Sequence, residues 1–379
     1  MILAINYEVF ARRLRETHVR RNDLQLSMSL IYKYVDRSGF ETKLPYDICH
    51  CDFPIPVRDR NFNKTLADIN DARALEIKEK AHRLGKKILL RWSGGIDSTA
   101  LVVAIIRNFT SYEYALVDVA CNNYSIIENP VFYEKHIKPF FNIVDSSTLR
   151  NDDPALSNSF IVDGEPADLL FGSFVPTLYP NKAQLPLNEG NAISLIVKSI
   201  SNEWTCDIPM SEKISFAEHF YSVAVGSALH CDNELNTVGD LWWWRMFNWM
   251  WQPNIYKHYT ESNKILSAKA FTSWQGRYIP WHATDDYQQW SMNADSVTKF
   301  GSTVTEYKLP TRRYIASVFK NPWYLSFKGK QHSINYRTFD IRERVALKDD
   351  GTVLSCTKNL DEIKSLLFIA VTAVAQSRP

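Results

Sequence analysis

The chain has 379 residues, with 44 Lys and Arg against 42 Asp and Glu, a formal net charge of +2. That balance leaves no global field to draw in nucleic acid or an anionic membrane surface. At 45% hydrophobic and 23% charged residues, the composition is ordinary for a soluble globular protein of two or three domains.

Six cysteines lie at 49, 51, 121, 206, 231 and 356, and none forms a CxxC pair. A zinc ribbon or an iron–sulfur site of the usual spacing is therefore not expected. Cys49-His50-Cys51 lacks a second pair nearby, so reduced thiols in a cytoplasmic protein are the expectation. The run Met1–Asn6 is too short for a signal peptide. The late apolar run, Leu366 to Ala375, falls short of the ~20 residues of a membrane span and predicts a buried helix.

In chain order, residues 1–62 form a small N-terminal region whose fold the sequence does not assign; its Arg12, Arg13, Arg15, Arg20 and Arg21 suit a solvated helix face. Residues 63–186 carry an alternating pattern. Leu66 to Leu84 predicts a helix, because Leu66, Ile69, Ala72, Leu75 and Ile77 recur near helical spacing and Gly85 follows as a C-cap. Lys87 to Trp92 predicts a buried strand, Thr99 to Asn108 a helix, and Tyr112 to Ala120 a strand. Pro130 to Phe140 predicts a helix with Pro in its first turn, and Asn142–Asp145 and Ser159–Asp163 predict two more strands. The alternation implies an α/β fold, a parallel sheet with helices on both faces.

Residues 187–345 turn helical and aromatic, with Trp242, Trp243, Trp244, Phe247, Trp249, Met250 and Trp251 in one short stretch. Such a run can stack bases, but no basic groove accompanies it, so packing of a core or lid is expected. Residues 346–379 are expected to form a C-terminal hairpin or helix.

The chemistry concentrates between the first strand and its helix, at Ser93-Gly94-Gly95-Ile96-Asp97-Ser98. Two glycines let the backbone turn tightly and approach a ligand. Amides at the helix N-terminus suit an anion, and Ser93 and Ser98 can add hydroxyl donors. Asp97 is at odds with a bare phosphate cradle unless Mg2+ sits between carboxylate and phosphate. The string is neither a P-loop nor a GxGxxG fingerprint; a plain capped strand–helix turn is the alternative.

This string resembles the PP-loop of the ATP pyrophosphatase superfamily, which includes asparagine, GMP, NAD and argininosuccinate synthetases and several tRNA-modifying enzymes. The resemblance implies a five-stranded parallel sheet, ATP and Mg2+, and activation of an acceptor as its adenylate with release of pyrophosphate. ATP would lie on Ser93, Gly94, Gly95, Asp97 and Ser98, its base near the strand ends at Trp92 and Val119.

A second motif, Asp163-Gly164-Glu165-Pro166-Ala167-Asp168-Leu169-Leu170-Phe171-Gly172, follows a strand, where ligands bind in such sheets. It is similar to the Ser-Gly-Glu-Gly-Ala-Asp-Glu-Leu-Phe-Gly-Gly segment of asparagine synthetase and β-lactam synthetase. The resemblance implies that Glu165 helps form the acyl-adenylate, that Asp168 binds Mg2+ with Asp97, and that Asp163 and Gly164 line the ATP site. Leu169 replaces an acid and Pro166 a glycine of that pattern. Phe327-Lys328-Gly329-Lys330-Gln331 is similar to the family's late Arg-x-Lys-Gln segment, which implies a catalytic role for Lys330. Arg277-Tyr278-Ile279-Pro280 before Asp285-Asp286 is similar to its Arg-x-Pro-Phe-x-Asp stretch.

The phosphate loop begins at residue 93, too early for the glutaminase domain of glutamine-using asparagine synthetase, and Ile2 stands where that domain has its cysteine nucleophile. The chain thus resembles the synthetase half alone. It would join a small carboxylate to ammonia, an amine, or nitrogen from a separate glutaminase. The alternatives are a PP-loop enzyme modifying tRNA or a nucleobase, and a degenerate ATP-binding module.

Overall fold

The computed structural model describes residues 36–40, 51, 53–149, 156–172, 182–203, 210–252, 254–255, 276–301, 306–320, 324–325, 344–347 and 353–356. Arg12 to Arg21, Cys49, His50, Lys328, Lys330 and the predicted helix at Leu366–Ala375 lie outside them.

Helix α1 spans Leu66–Leu84. Thr65 caps its start through a reciprocal box: the Asp68 amide donates to the Thr65 hydroxyl at 3.2 Å, and the Thr65 amide donates to the Asp68 carboxylate at 3.0 Å. Gly85, at φ 59°, ends it in the left-handed region. Strand β1 (Lys87–Arg91) leads through the Gly-Gly loop into α2 (Ile96–Asn108). The chain then forms β2 (Val117–Cys121), α3 (Asn123–Glu128) and α4 (Pro130–Phe132), which runs into a π turn at Tyr133–Ile137. The predicted strand from Tyr112 therefore starts five residues late, because Glu113–Leu116 close a 3-10 turn instead. The helix predicted over Pro130 to Phe140 is shorter and widens into the π turn at its end. Strands β3 (Asn142–Asp145) and β4 (Ser159–Asp163) have their predicted bounds.

After α5 (Ala167–Leu170) come α6 (Glu189–Glu203), α7 (Met210–His230) and α8 (Val238–Trp244), the last continuing into a π turn at Arg245–Trp249. Strand β5 (Tyr278–Pro280), α9 (Asp285–Asn293), α10 (Ser296–Phe300) and α11 (Leu309–Phe319) follow, then the antiparallel pair β6 (Arg344–Leu347) and β7 (Val353–Cys356).

Five strands form one sheet in the order β3-β2-β1-β4-β5, every neighbouring pair parallel. In β4 all residues are buried, and Ile88, Leu89 and Leu90 of β1 are too. Consecutive side chains of a strand point to opposite faces, so both faces of the central strands are covered. The chain runs β1, β2, β3 toward one edge, then returns to lay β4 on the other side of β1. Here, between β1 and β4, the strand order reverses, and in open α/β sheets ligands bind outside the carboxyl ends of the strands at such a point. Both Gly-bearing loops begin there.

The aromatic stretch is core. Trp242, Trp243, Trp244, Phe247, Trp249 and Trp251 are all buried, which leaves no platform there for stacking bases. Two of its indole N–H groups are hydrogen-bonded: Trp244 donates to Ser227 at 2.8 Å and Trp243 to Ser291 at 2.9 Å. Ser291 in turn donates to the Leu170 carbonyl at 2.8 Å, so the cluster braces the short helix α5 of the second motif. Arg37 docks the 36–40 segment on the same cluster, its backbone amide 2.8 Å from Asn248 Oδ1 and its guanidinium over the Trp251 ring at 4.7 Å. No helix among the described residues is long and apolar enough to cross a membrane.

Candidate active site

The phosphate-type loop is closed by its own side chains. Ser98 Oγ accepts from the Ser93 amide at 3.1 Å and donates to the Gly95 carbonyl at 3.3 Å. The two serine hydroxyls lie 3.0 Å apart, and Ser93 Oγ accepts from the Gly95 amide at 3.3 Å. The hydroxyls expected to face a ligand thus brace the loop. The amides of Ile96, Asp97 and Ser98, the first of α2, have no carbonyl one turn earlier and supply the anion-binding potential.

Gly94 is required by shape. Its φ is +79°, and an added Cβ would stand 2.3 Å from the Ser125 carbonyl oxygen. It lets the end of α3 close over the loop, with Glu128 Oε1 3.5 Å from the Cβ position of Gly95.

The second loop lies directly against the first. An added Cβ at Gly164 would meet the Asp97 Cβ and the Ser98 amide nitrogen, each at 3.2 Å. Asp163 is turned inward: the Tyr278 hydroxyl lies 2.8 Å from both its carboxylate oxygens, and the Glu165 amide donates to it at 3.1 Å. Burial, then the Asp163 charge, holds the Tyr278 phenol well above its usual range, so it stays a donor. The segment after β5 continues alongside. The Trp281 amide donates to the Asp163 carbonyl at 3.0 Å, and the His282 amide to that of Glu165 at 3.1 Å. His282 Nδ1 lies 2.9 Å from the Gly164 carbonyl oxygen.

The centre of the site is Lys308, which the sequence reading did not single out. Its Nζ donates to both oxygens of Asp97 at 2.6 Å and to Asp168 Oδ1 at 2.5 Å. Its side chain is 1% exposed, against 26% for Asp97 and 34% for Asp168. Burial works against its charge, but Asp168 and Asp97, by charge and by hydrogen bond, outweigh it and hold the ammonium above the usual lysine range. The backbone of Lys308 is itself left-handed, φ 55°, at the start of α11. A cation at a helix N-terminus opposes the helix dipole, which is the one sequence-level sign that this lysine has other business.

The two acids expected to hold Mg2+ are thus brought together from separate strands. Two carboxylates plus phosphate oxygens are the donor set Mg2+ usually takes, and the trio carries a net charge of −1. In number and kind the residues fit the ion, on condition that it shares both carboxylates with the ammonium. Among the described residues no group of three or more His, Cys, Asp or Glu is placed to hold a metal.

Trp92 and Val119 have buried side chains, Trp92 Nε1 donating to Thr99 Oγ1 at 3.1 Å. Only the Trp92 backbone stands at a strand end; Val119 lies in the middle of β2, two residues short of its carboxyl end. Leu169, where the resembled pattern has an acid, is a buried residue of α5 itself. His282 was missed at the sequence level; nothing beyond its place after a short strand marks it. No protein-family model matches the chain, and neither a curated protein nor a solved structure does.

Proposed function

We propose that the chain is an ATP-dependent ligase of the asparagine synthetase type, which forms an acyl-adenylate with release of pyrophosphate and then an amide with ammonia or an amine. The observation that carries the reading is the convergence of Asp97 and Asp168 on Lys308 at the point where the sheet's strand order reverses.

In this reading the amides of Ile96 to Ser98 and the Gly94-Gly95 backbone hold the triphosphate. Asp97 and Asp168 hold Mg2+, which supplies charge neutralisation at the pyrophosphate. A substrate carboxylate oxygen bonds to the α-phosphorus as the bond to the β-phosphate oxygen breaks. The amine nitrogen then bonds to the acyl carbon, AMP leaves, and the amine gives up a proton. Lys308 balances charge on the phosphates, and Lys330 is assigned the same task by resemblance alone. Glu165 orients the acceptor or takes that proton. The work is positioning and electrostatics. ATP, Mg2+, a small carboxylate and an amine source, in a cytoplasmic setting, complete the proposal.

ATP–pyrophosphate exchange with a panel of carboxylic acids, aspartate included, tests it. Exchange that depends on one acid establishes adenylation and names the acceptor. ATP binding with no exchange on any acid favours a second reading, an ATP-binding module without turnover. The ammonium of Lys308 seated between the two candidate metal ligands is the observation behind that reading.

A further inference from the structure

Glu165 sits in a loop whose backbone carbonyls are gripped by one residue from elsewhere in the chain. His282 Nδ1 reaches the Gly164 carbonyl oxygen at 2.9 Å, and the His282 amide donates to the Glu165 carbonyl at 3.1 Å. A carbonyl oxygen only accepts, so Nδ1 carries the proton and the imidazole is held in one tautomer. The residue is 3% exposed and its ring lies edge-on to Tyr287, centroids 4.8 Å apart.

The grip is anchored in turn. Tyr287 donates from its hydroxyl to Asn70 Oδ1 at 2.7 Å, and Trp281 Nε1 donates to the same oxygen at 3.2 Å. Asn70 closes the set by donating from Nδ2 to the Leu66 carbonyl at 2.9 Å, inside α1. A buried, internally satisfied network of this kind has one arrangement, because every broken bond would leave a desolvated polar group. The network therefore connects the first turns of α1 to the backbone beside Glu165.

We infer that His282 is a positioning residue for Glu165: its neutral imidazole fixes the Gly164–Glu165 backbone, and through it the carboxylate's approach to the acceptor. This rests on the proposed ligase reading. Facing groups are consistent with a permanently neutral ring. Burial, then the charge of Lys308, lowers the His282 pKa to about 3, with Glu165 working the other way and Arg73 adding to the lowering.

The test compares His282→Asn, His282→Gln and His282→Leu in the full chain. Asn places an N–H where Nδ1 stands; Gln carries its donor one carbon further; Leu has none. A displaced catalytic group costs on the order of 10 to 100-fold in rate. Gln and Leu are expected to lose that much in kcat for exchange, with Asn close to wild type and the ATP KM unchanged within about twofold in all three. Loss of kcat and ATP affinity together, in step with Tm and without rescue by Asn, would mean a merely structural role and overturns the proposal. So does full kcat in Leu.

A wild-type chain that binds ATP but exchanges nothing would sink the ligase reading instead. The positioning is then read from the Glu165 amide 1H–15N resonance. Retention in Asn and displacement in Gln and Leu support it; an unmoved resonance in all three overturns it.

Discussion

Lys308 reaches Asp168 across 140 residues of sequence, its Nζ 2.5 Å from the carboxylate oxygen, while the same nitrogen holds both oxygens of Asp97. The contact joins α11 to the loops after β1 and β4, so the carboxylate pair is defined by a residue on neither loop. Three groups of alternating sign in a largely buried site are worth little as net stability, but removal of the cation alone is costly, because two like charges then face each other.

Lys308→Met should accordingly lower stability without metal by about 2 kcal/mol, a figure reduced for the partial exposure of both acids. Mg2+ should recover more of the melting temperature in this variant than in the wild type, since the ion can take the vacated place. Thermal melts with and without Mg2+ check it; equal Mg2+ response in both proteins would remove the acids from the metal site.

Asp97→Ala should abolish pyrophosphate release while the chain stays folded. Asp97 is half-buried, its side chain 26% accessible, and without it the Lys308 ammonium keeps Asp168 as a partner. Release assays alongside circular dichroism decide this, and full activity would end the proposed mechanism.

Gly94→Ala should be far worse than Gly39→Ala, although both glycines have positive φ, +79° and +73°. At Gly39 an added Cβ meets nothing within 4 Å, so only the backbone cost of about 1 kcal/mol applies. At Gly94 the Cβ collides with the Ser125 backbone at 2.3 Å, which adds overpacking of about 1–3 kcal/mol. Urea denaturation of the two variants separates them.

Acid should weaken the fold through His282. Its pKa is lowered from 6.5 to about 3, so above pH 6.5 the ring is neutral both folded and unfolded and contributes no pH dependence. Below that the unfolded chain binds a proton that the folded chain refuses, and stability falls as pH drops toward 3. At pH 5 the loss is about 2 kcal/mol, at roughly 1.4 kcal/mol per pKa unit. His282→Asn should flatten this part of the stability–pH curve.

Trp243→Phe keeps an aromatic ring but loses the pyrrole half of the indole, and with it the N–H that meets Ser291. Ser291 still donates to the Leu170 carbonyl, so α5 should stay in place. A destabilisation of about 1–2 kcal/mol with unchanged ATP affinity is expected, from chemical denaturation and calorimetry.

Local pattern carried a good part of this structure into the sequence. Helix α1 begins and ends where its apolar spacing and Gly85 say, and β3 and β4 match residue for residue. These elements are written by side-chain periodicity and by residues that stop a helix, both of which act over a few positions. The Gly-Gly loop and the Asp163–Asp168 motif were legible for the same reason: tight turns need glycine, and glycine is visible.

What the sequence by itself determined was the set of elements and the two loops. Tertiary structure decided that β4 returns to pair with β1, which makes the two loops neighbours at the switch in strand order. It turned Ser93, Ser98 and Asp163 inward to hold the loops, and placed Lys308 and His282 on them from far along the chain. Hydrogen bonds and charge act over a few ångströms of space, whatever the separation in sequence, so a lone lysine or histidine gives no sign of them until the sheet has formed.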